Sequence, residues 1–185
     1  ENWSMEELSS VSIDDEKAGE TIVDYLIEHG HTKIAEIGAN LELSQTAILR
    51  HNGYLNSFKK HGITPDERYY ERARFSYDSA YRAMKKLLEK NIEITAVYAI
   101  SDVMAIGAIR AILDKGLRVP EDISITGFDG STLAEYYNPK IVSIRPPHKD
   151  MAARSVELLY RMIDLHKGSC HELIQIELTE GESVA

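Results

Sequence analysis

Three short stretches carry side chains suited to gripping a small polar molecule. They are Ser101-Asp102, the run Gly127-Phe128-Asp129-Gly130, and Arg50. A carboxylate accepts hydrogen bonds from two hydroxyls at once, and the planar Arg fork donates to two oxygens. Asp129 and Arg50 are therefore the leading candidates for ligand contact. Each has a plainer alternative: Asp129 can cap or brace the turn at Gly130, and Arg50 can form a surface ion pair. Asp102 stands directly before an apolar helical run, where an Asp often caps free N–H groups, and that role is favoured over ligand contact. The same holds for Asp14 and Asp15, ahead of the first helix.

These residues need elements that bring them together. Apolar residues alternate between strand and helix periods along the whole chain, which predicts a parallel sheet with helices on its faces. Strands are expected at Val11–Ile13, Lys33–Gly38, Tyr69–Arg74, Ile94–Ile100, Asp122–Phe128, Ile141–Ile144 and Leu173–Leu178. Helices are expected near Asp15–His29, Ser44–Lys60, Tyr77–Lys90, Asp102–Lys115 and His148–His166. The almost wholly apolar Ile94–Ile100 suits a central strand buried on both faces. In such a sheet ligands bind at the carboxyl ends of the strands, where Ser101-Asp102 and Gly127–Gly130 fall.

Composition narrows the function. Thirty acidic residues against 21 basic give a net charge of −9, with no basic cluster, so the chain is not expected to bind nucleic acid by itself. The single cysteine, Cys170, excludes an internal disulfide and a Cys-based zinc cluster. No P-loop, Gly-x-Ser-x-Gly or Gly-x-Gly-x-x-Gly motif occurs, and the histidines lack metal-ligand spacing. No enzymatic activity, cofactor or metal is expected, and no apolar run approaches membrane-spanning length.

The run Ser101–Ala108, then Gly116-Leu117-Arg118-Val119-Pro120-Glu121-Asp122-Ile123-Ser124-Ile125 and Gly127-Phe128-Asp129, resembles the signature of LacI-family transcription regulators. Supporting pieces are Ile13-Asp14-Asp15, Gly30–Ala35, Arg50 with Gly53-Tyr54, and Pro139 before Ile144. The resemblance implies a type I periplasmic-binding-protein-like α/β fold, with two Rossmann-like lobes joined by three crossovers and an effector, most often a sugar, in the cleft. The crossovers are expected near Gly30-His31, Ser143–Pro147 and Cys170–Leu173. Residues 31–143 and 171–185 then form a complete C-terminal (far) subdomain. Residues 1–30 and 144–170 form a remnant of the N-terminal (near) subdomain, and the helix-turn-helix headpiece is expected to be absent. The helices Asp15–His29 and His148–His166 are expected to pack on each other, on the far lobe or across a subunit contact; bare apolar faces on solvated helices would count against this reading.

By the same resemblance, Arg50, Asp129, Asp14, Phe75, Ser101 and Asp102 are candidate effector contacts. Phe75 matches an aromatic that stacks on effector in some members, with an ordinary core role as the alternative. Ser101 stands where many members carry Asn, so its hydroxyl either replaces that amide or the contact is lost. The helix at Met104–Leu113 is apolar on more than one face, and Met104, Ile106, Ile109 and Ile112, with Leu133 and Tyr136, are candidates for a homodimer interface. The implied protein is a cytoplasmic sugar-responsive regulator that meets DNA only through the headpiece. The alternative is a periplasmic or secreted sugar-binding receptor, whose Gly-Phe-Asp-Gly turn is shared here; the Val-Pro-Glu-Asp-Ile-Ser run argues against it.

Overall fold

A computed structural model describes residues 9–42, 44–165 and 169–185. The elements in chain order are β1 (Ser10–Ser12), α1 (Asp15–Glu28), β2 (Ile34–Gly38), α2 (Gln45–Lys60), β3 (Tyr70–Arg72), α3 (Tyr77–Glu89), β4 (Ala96–Ala99), α4 (Asp102–Asp114), β5 (Ser124–Phe128), α5 (Thr132–Tyr136), β6 (Val142–Arg145), α6 (His148–Leu165), β7 (His171–Leu173) and β8 (Glu177–Leu178). The chain divides into two compact units. The first comprises residues 1–14 and 146–177, the second residues 15–145 and 178–185.

The second unit is built on a sheet in the order β3-β2-β4-β5-β6-β8, with the β3–β2, β2–β4, β4–β5 and β5–β6 pairs all parallel. Every residue of β2, β4 and β5 is buried, as expected of parallel strands covered on both faces. The cover comes from two helix pairs, α1 with α2 and α3 with α4. Serines at 44, 76, 101 and 131 begin α2, α3, α4 and α5, each accepting a hydrogen bond from a first-turn N–H. Because the strands run alike, these capped ends and the strand C-termini share one edge of the sheet.

The placement of α1 corrects the expected boundary. It packs in the second unit against α2, not with the remnant of a near subdomain. Ala18, Ile22, Val23 and Leu26 are fully buried there. The helices meet at glycines: a Cβ on Gly53 would lie 2.2 Å from the Glu16 carbonyl oxygen, and one on Gly19 would lie 2.6 Å from that of Arg50. Asp24 of α1 adds polar ties, accepting from the Ser57 hydroxyl at 2.6 Å and from Lys60 at 2.5 Å, with His61 at 3.0 Å. Burial pushes the Asp24 carboxyl up, but the bonds from Lys60 and Ser57 outweigh it and hold the group below its ordinary range.

In the first unit β1 pairs in parallel with β7, and α6 packs on β1. The strand expected at Leu173–Leu178 is in fact two: β7 joins β1, and β8 joins the large sheet. Residues 171–177 therefore leave the expected far subdomain. The chain still passes between the units three times, at 14/15, 145/146 and 177/178. Only the middle passage falls where expected. Of the two helices expected to find cover, α1 has it. On α6, Val156, Leu159, Tyr160 and Ile163 stay exposed, so half of that expectation is unmet within this chain. Residues 1–8 and 166–168, which complete the expected near subdomain, lie outside the described residues.

Candidate functional site

Arg50 sits in the second turn of α2 and reaches over the carboxyl ends of β4 and β5. Its Nε donates to Asp15 Oδ1 at 2.8 Å and its Nη1 to the Ile100 carbonyl oxygen at 2.6 Å. The guanidinium lies over the Phe128 ring, 3.4 Å from the centroid. Asp129 Oδ1 stands 3.9 Å from Nη1. The two residues predicted to converge do converge. The Arg50 side chain is only 9% exposed whereas that of Asp129 is 44% exposed, so the carboxylate is the part that water or a ligand can reach.

Asp129 holds a left-handed backbone, φ +111°, which a non-glycine residue rarely adopts. The flanks enforce it. Its N–H donates to the Ile144 carbonyl oxygen at 2.8 Å, and the Gly130 N–H donates to the Ser143 hydroxyl at 3.0 Å. Strain held in place by neighbouring strands is typical of ligand-binding positions.

Ser101 takes the capping role expected of Asp102. Ser101 is the α4 cap, its hydroxyl accepting from the Met104 N–H at 3.3 Å. Asp102 is a buried buckle: Oδ1 accepts from the Ser143 hydroxyl and Oδ2 from the Ser131 N–H, both at 2.6 Å. Burial pushes this carboxyl up, against the pull of the two donors. Both residues are buried and engaged, so neither is presented for ligand contact. Asp102 instead ties the Asp129–Gly130 turn to β6.

Phe75 is not a core residue. It is half exposed, in the loop that follows β3. Asp14 falls in the first unit, and the carboxylate that joins Arg50 is its neighbour Asp15. Asp15, the Phe128 ring and the Ile100 carbonyl oxygen are the members that residue-type reasoning passed over. The Asp-Asp pair and the Phe before Asp129 were visible; their partners were not. None of three surface cavities in this unit is lined by Arg50 or Asp129.

Half of the proposed dimer surface is core. Met104, Ile109 and Ile112 have no exposure at all, because they form the face of α4 that packs within the unit. Leu133 and Tyr136 are exposed, at 49% and 81%, and Ile106 lines a groove of about 400 Å³ with Tyr77, Tyr81 and Tyr137. Among the described residues no helix is long and apolar enough to cross a membrane, and no three His, Cys, Asp or Glu side chains group as a metal ion would require.

Residues 23–184 match the family described as periplasmic binding protein-like domain. The HTH-type transcriptional regulator MalR of Clostridium butyricum is 39% identical over 175 residues, covering 95% of this chain and 52% of that protein. The repressor CytR of Escherichia coli K12 is 36% identical over 173 residues, covering 93% and 50%. The solved complex of the transcriptional regulator CelR with cellobiose superimposes with a TM-score of 0.91 at 32% identity, covering 97% of this chain and 55% of that one. This chain thus spans about half the length of the curated relatives it matches. It belongs to the periplasmic binding protein-like domain family; the relatives it matches are named HTH-type transcriptional regulators, and the solved structures it resembles include LacI-family regulators.

Proposed function

We propose that this chain is the effector-sensing portion of a LacI-type transcription regulator, with a sugar bound at the carboxyl edge of the second unit. The observation that carries the reading is the convergence of Arg50, Phe128 and a strained, half-exposed Asp129 at the ends of β4 and β5. Asp129 accepts from ligand hydroxyls, Arg50 supplies the positive field and remaining donors, and Phe75 offers its ring to an apolar sugar face. The saccharide in the CelR complex supports that ligand class. The intact protein acts as a cytoplasmic homodimer and contacts DNA through a segment outside this chain. Effector binds one arrangement of the protein more tightly and so shifts the fraction competent for DNA. Ile106, Leu133 and Tyr136 are the remaining candidates for the subunit contact.

Regulator names among the relatives favour this reading over a transport receptor. The test uses the full-length protein. A saccharide panel is screened by thermal shift, and the hit is titrated into the wild type, Asp129→Ala and Arg50→Ala while operator binding is followed. Asp129→Ala is expected to bind DNA normally yet stop responding to the sugar; Arg50→Ala is expected to stop responding too, with a lowered melting temperature because it also removes the Asp15 contact. A full response in both defeats the assignment.

A further inference from the structure

A cavity of about 560 Å³ lies between α2, β3 and the loop before β3, and neither Arg50 nor Asp129 lines it. His51, the neighbour of Arg50 on α2, forms part of its wall. The His51 Nδ1 sits 2.7 Å from Glu36 Oε2, and Glu36 is wholly buried in β2. The second Glu36 oxygen has no hydrogen-bond partner. Buried carboxylates are normally satisfied on both oxygens. The Glu36 carboxylate fixes the orientation of the mostly covered His51 ring and favours the imidazolium, leaving Nε2 as the donor that faces the cavity. The Glu36 bond holds the His51 imidazole above its ordinary range, against burial and the Arg72 charge, which lower it.

The rest of the wall is divided between apolar rings and charge. Tyr54 and Tyr70 flank His51, with ring centroids 6.1 Å and 4.9 Å away. Their hydroxyls donate to the carbonyl oxygens of Ile34 and Ala39, and the Tyr70 hydroxyl is also hydrogen-bonded to the Arg72 side chain, so both residues offer chiefly ring surface to the cavity. Leu55 adds aliphatic wall. Arg72, exposed at the end of β3, lines the cavity and makes no ion pair among the described residues. Of the acids present, Asp66 is taken up by Arg68, and Glu67 is exposed on the loop.

We propose that this cavity is a second ligand site, taking a small carboxylic acid with a ring-bearing apolar body. The Arg72 fork and His51 Nε2 receive the carboxylate, and Tyr54, Tyr70 and Leu55 receive the ring. A carboxylate matches the planar Arg fork in two parallel hydrogen bonds, which a neutral amide cannot reproduce. Occupancy bears directly on α2, the helix that carries Arg50.

The test needs no knowledge of the natural ligand. The 185-residue chain is titrated calorimetrically with 3-phenylpropionate and with its amide, and the His51 ring carbon is followed by NMR in histidine-labelled protein. The acid is expected to bind saturably with a Kd below about 1 mM and to move the His51 signal, the amide at least about tenfold more weakly. Arg72→Gln, a surface change that leaves the melting temperature in place, is expected to reduce the acid to the level of the amide. Absence of saturable binding at about 10 mM acid, equal binding of acid and amide, or undiminished binding by Arg72→Gln each overturns the proposal.

Discussion

Gly53→Ala tests whether α1 truly belongs to the sensing unit. The added methyl would lie 2.2 Å from the Glu16 carbonyl oxygen, 2.5 Å from the Glu20 nitrogen and 2.9 Å from the Gly19 carbonyl carbon. All three are backbone atoms of α1, so no side chain can swing aside and the helix itself must shift by about 1 Å to reach van der Waals contact. Overpacking of this kind costs about 3 kcal/mol. Alanine is also the better helix former, by about 1 kcal/mol, so on an uncovered helix the same substitution would stabilise. The two effects have opposite signs. The expected net loss is about 2 kcal/mol, a fall in Tm of about 4–8 °C for a chain of this size. Thermal unfolding followed by circular dichroism at helix wavelengths reads it. An unchanged or raised Tm would mean that α1 does not sit on α2, and the Asp15–Arg50 bond would go with it.

Two further changes probe the site and its support. Asp129→Gly should relieve about 1–3 kcal/mol of backbone strain, less about 0.5–1 kcal/mol for the freedom of glycine in the unfolded chain. The Arg50 contact it forfeits is long and half exposed, worth little. The variant should lose the sugar response when the saccharide hit is titrated against operator binding, and a retained response would refute the ligand role of the carboxylate. Asp24→Asn removes a charge-assisted tie between α1 and α2 and should cost about 2 kcal/mol at neutral pH. Because the folded carboxyl lies below its unfolded value of 3.8, its contribution is present above that value and lost as pH falls through the folded one. The gap in urea midpoint between wild type and Asp24→Asn should thus narrow below about pH 4, and a constant gap would refute the pairing.

Most elements were legible because helical and strand periods differ, whereas the short α5 behind the Ser131 cap was not among the expected helices and the α4 cap was assigned to Asp102 in place of Ser101. What failed were decisions about partners. Leu173–Leu178 alternates like one strand, yet its two ends pair with different sheets, and nothing local marks the break. Gly19 and Gly53 read as ordinary helical residues, although their mutual approach is what seats α1 on α2. Ser101 and Asp102 are both capping types side by side, so residue type could not say which hydroxyl or carboxyl turns inward. On α4, apolar residues on several faces could not separate the sheet side, with Met104, Ile109 and Ile112, from the side left for another molecule.

The geometry around Arg50 separates a permanent partner from an exchangeable one. Asp15 is close, at 2.8 Å, and mostly covered; removing it would leave a buried guanidinium without its carboxylate, which is strongly unfavourable. Asp129 is looser, at 3.9 Å, and its carboxylate is nearly half in solvent, where an ion pair contributes little. Exchanging that contact for two ligand hydroxyls therefore costs almost nothing, whereas exchanging the Asp15 contact would unseat α1. On the proposed function, effector recognition falls to the Asp129–Gly130 turn, and Arg50 stays where Asp15, the Ile100 carbonyl oxygen and the Phe128 ring hold it. The Asp102 buckle links that turn through Ser131 and Ser143 to β6, whose last residue adjoins a passage into the first unit. The turn is thus held to β6 by two routes that meet at the Ser143 hydroxyl, one directly from the Gly130 N–H and one through Asp102 from the Ser131 N–H.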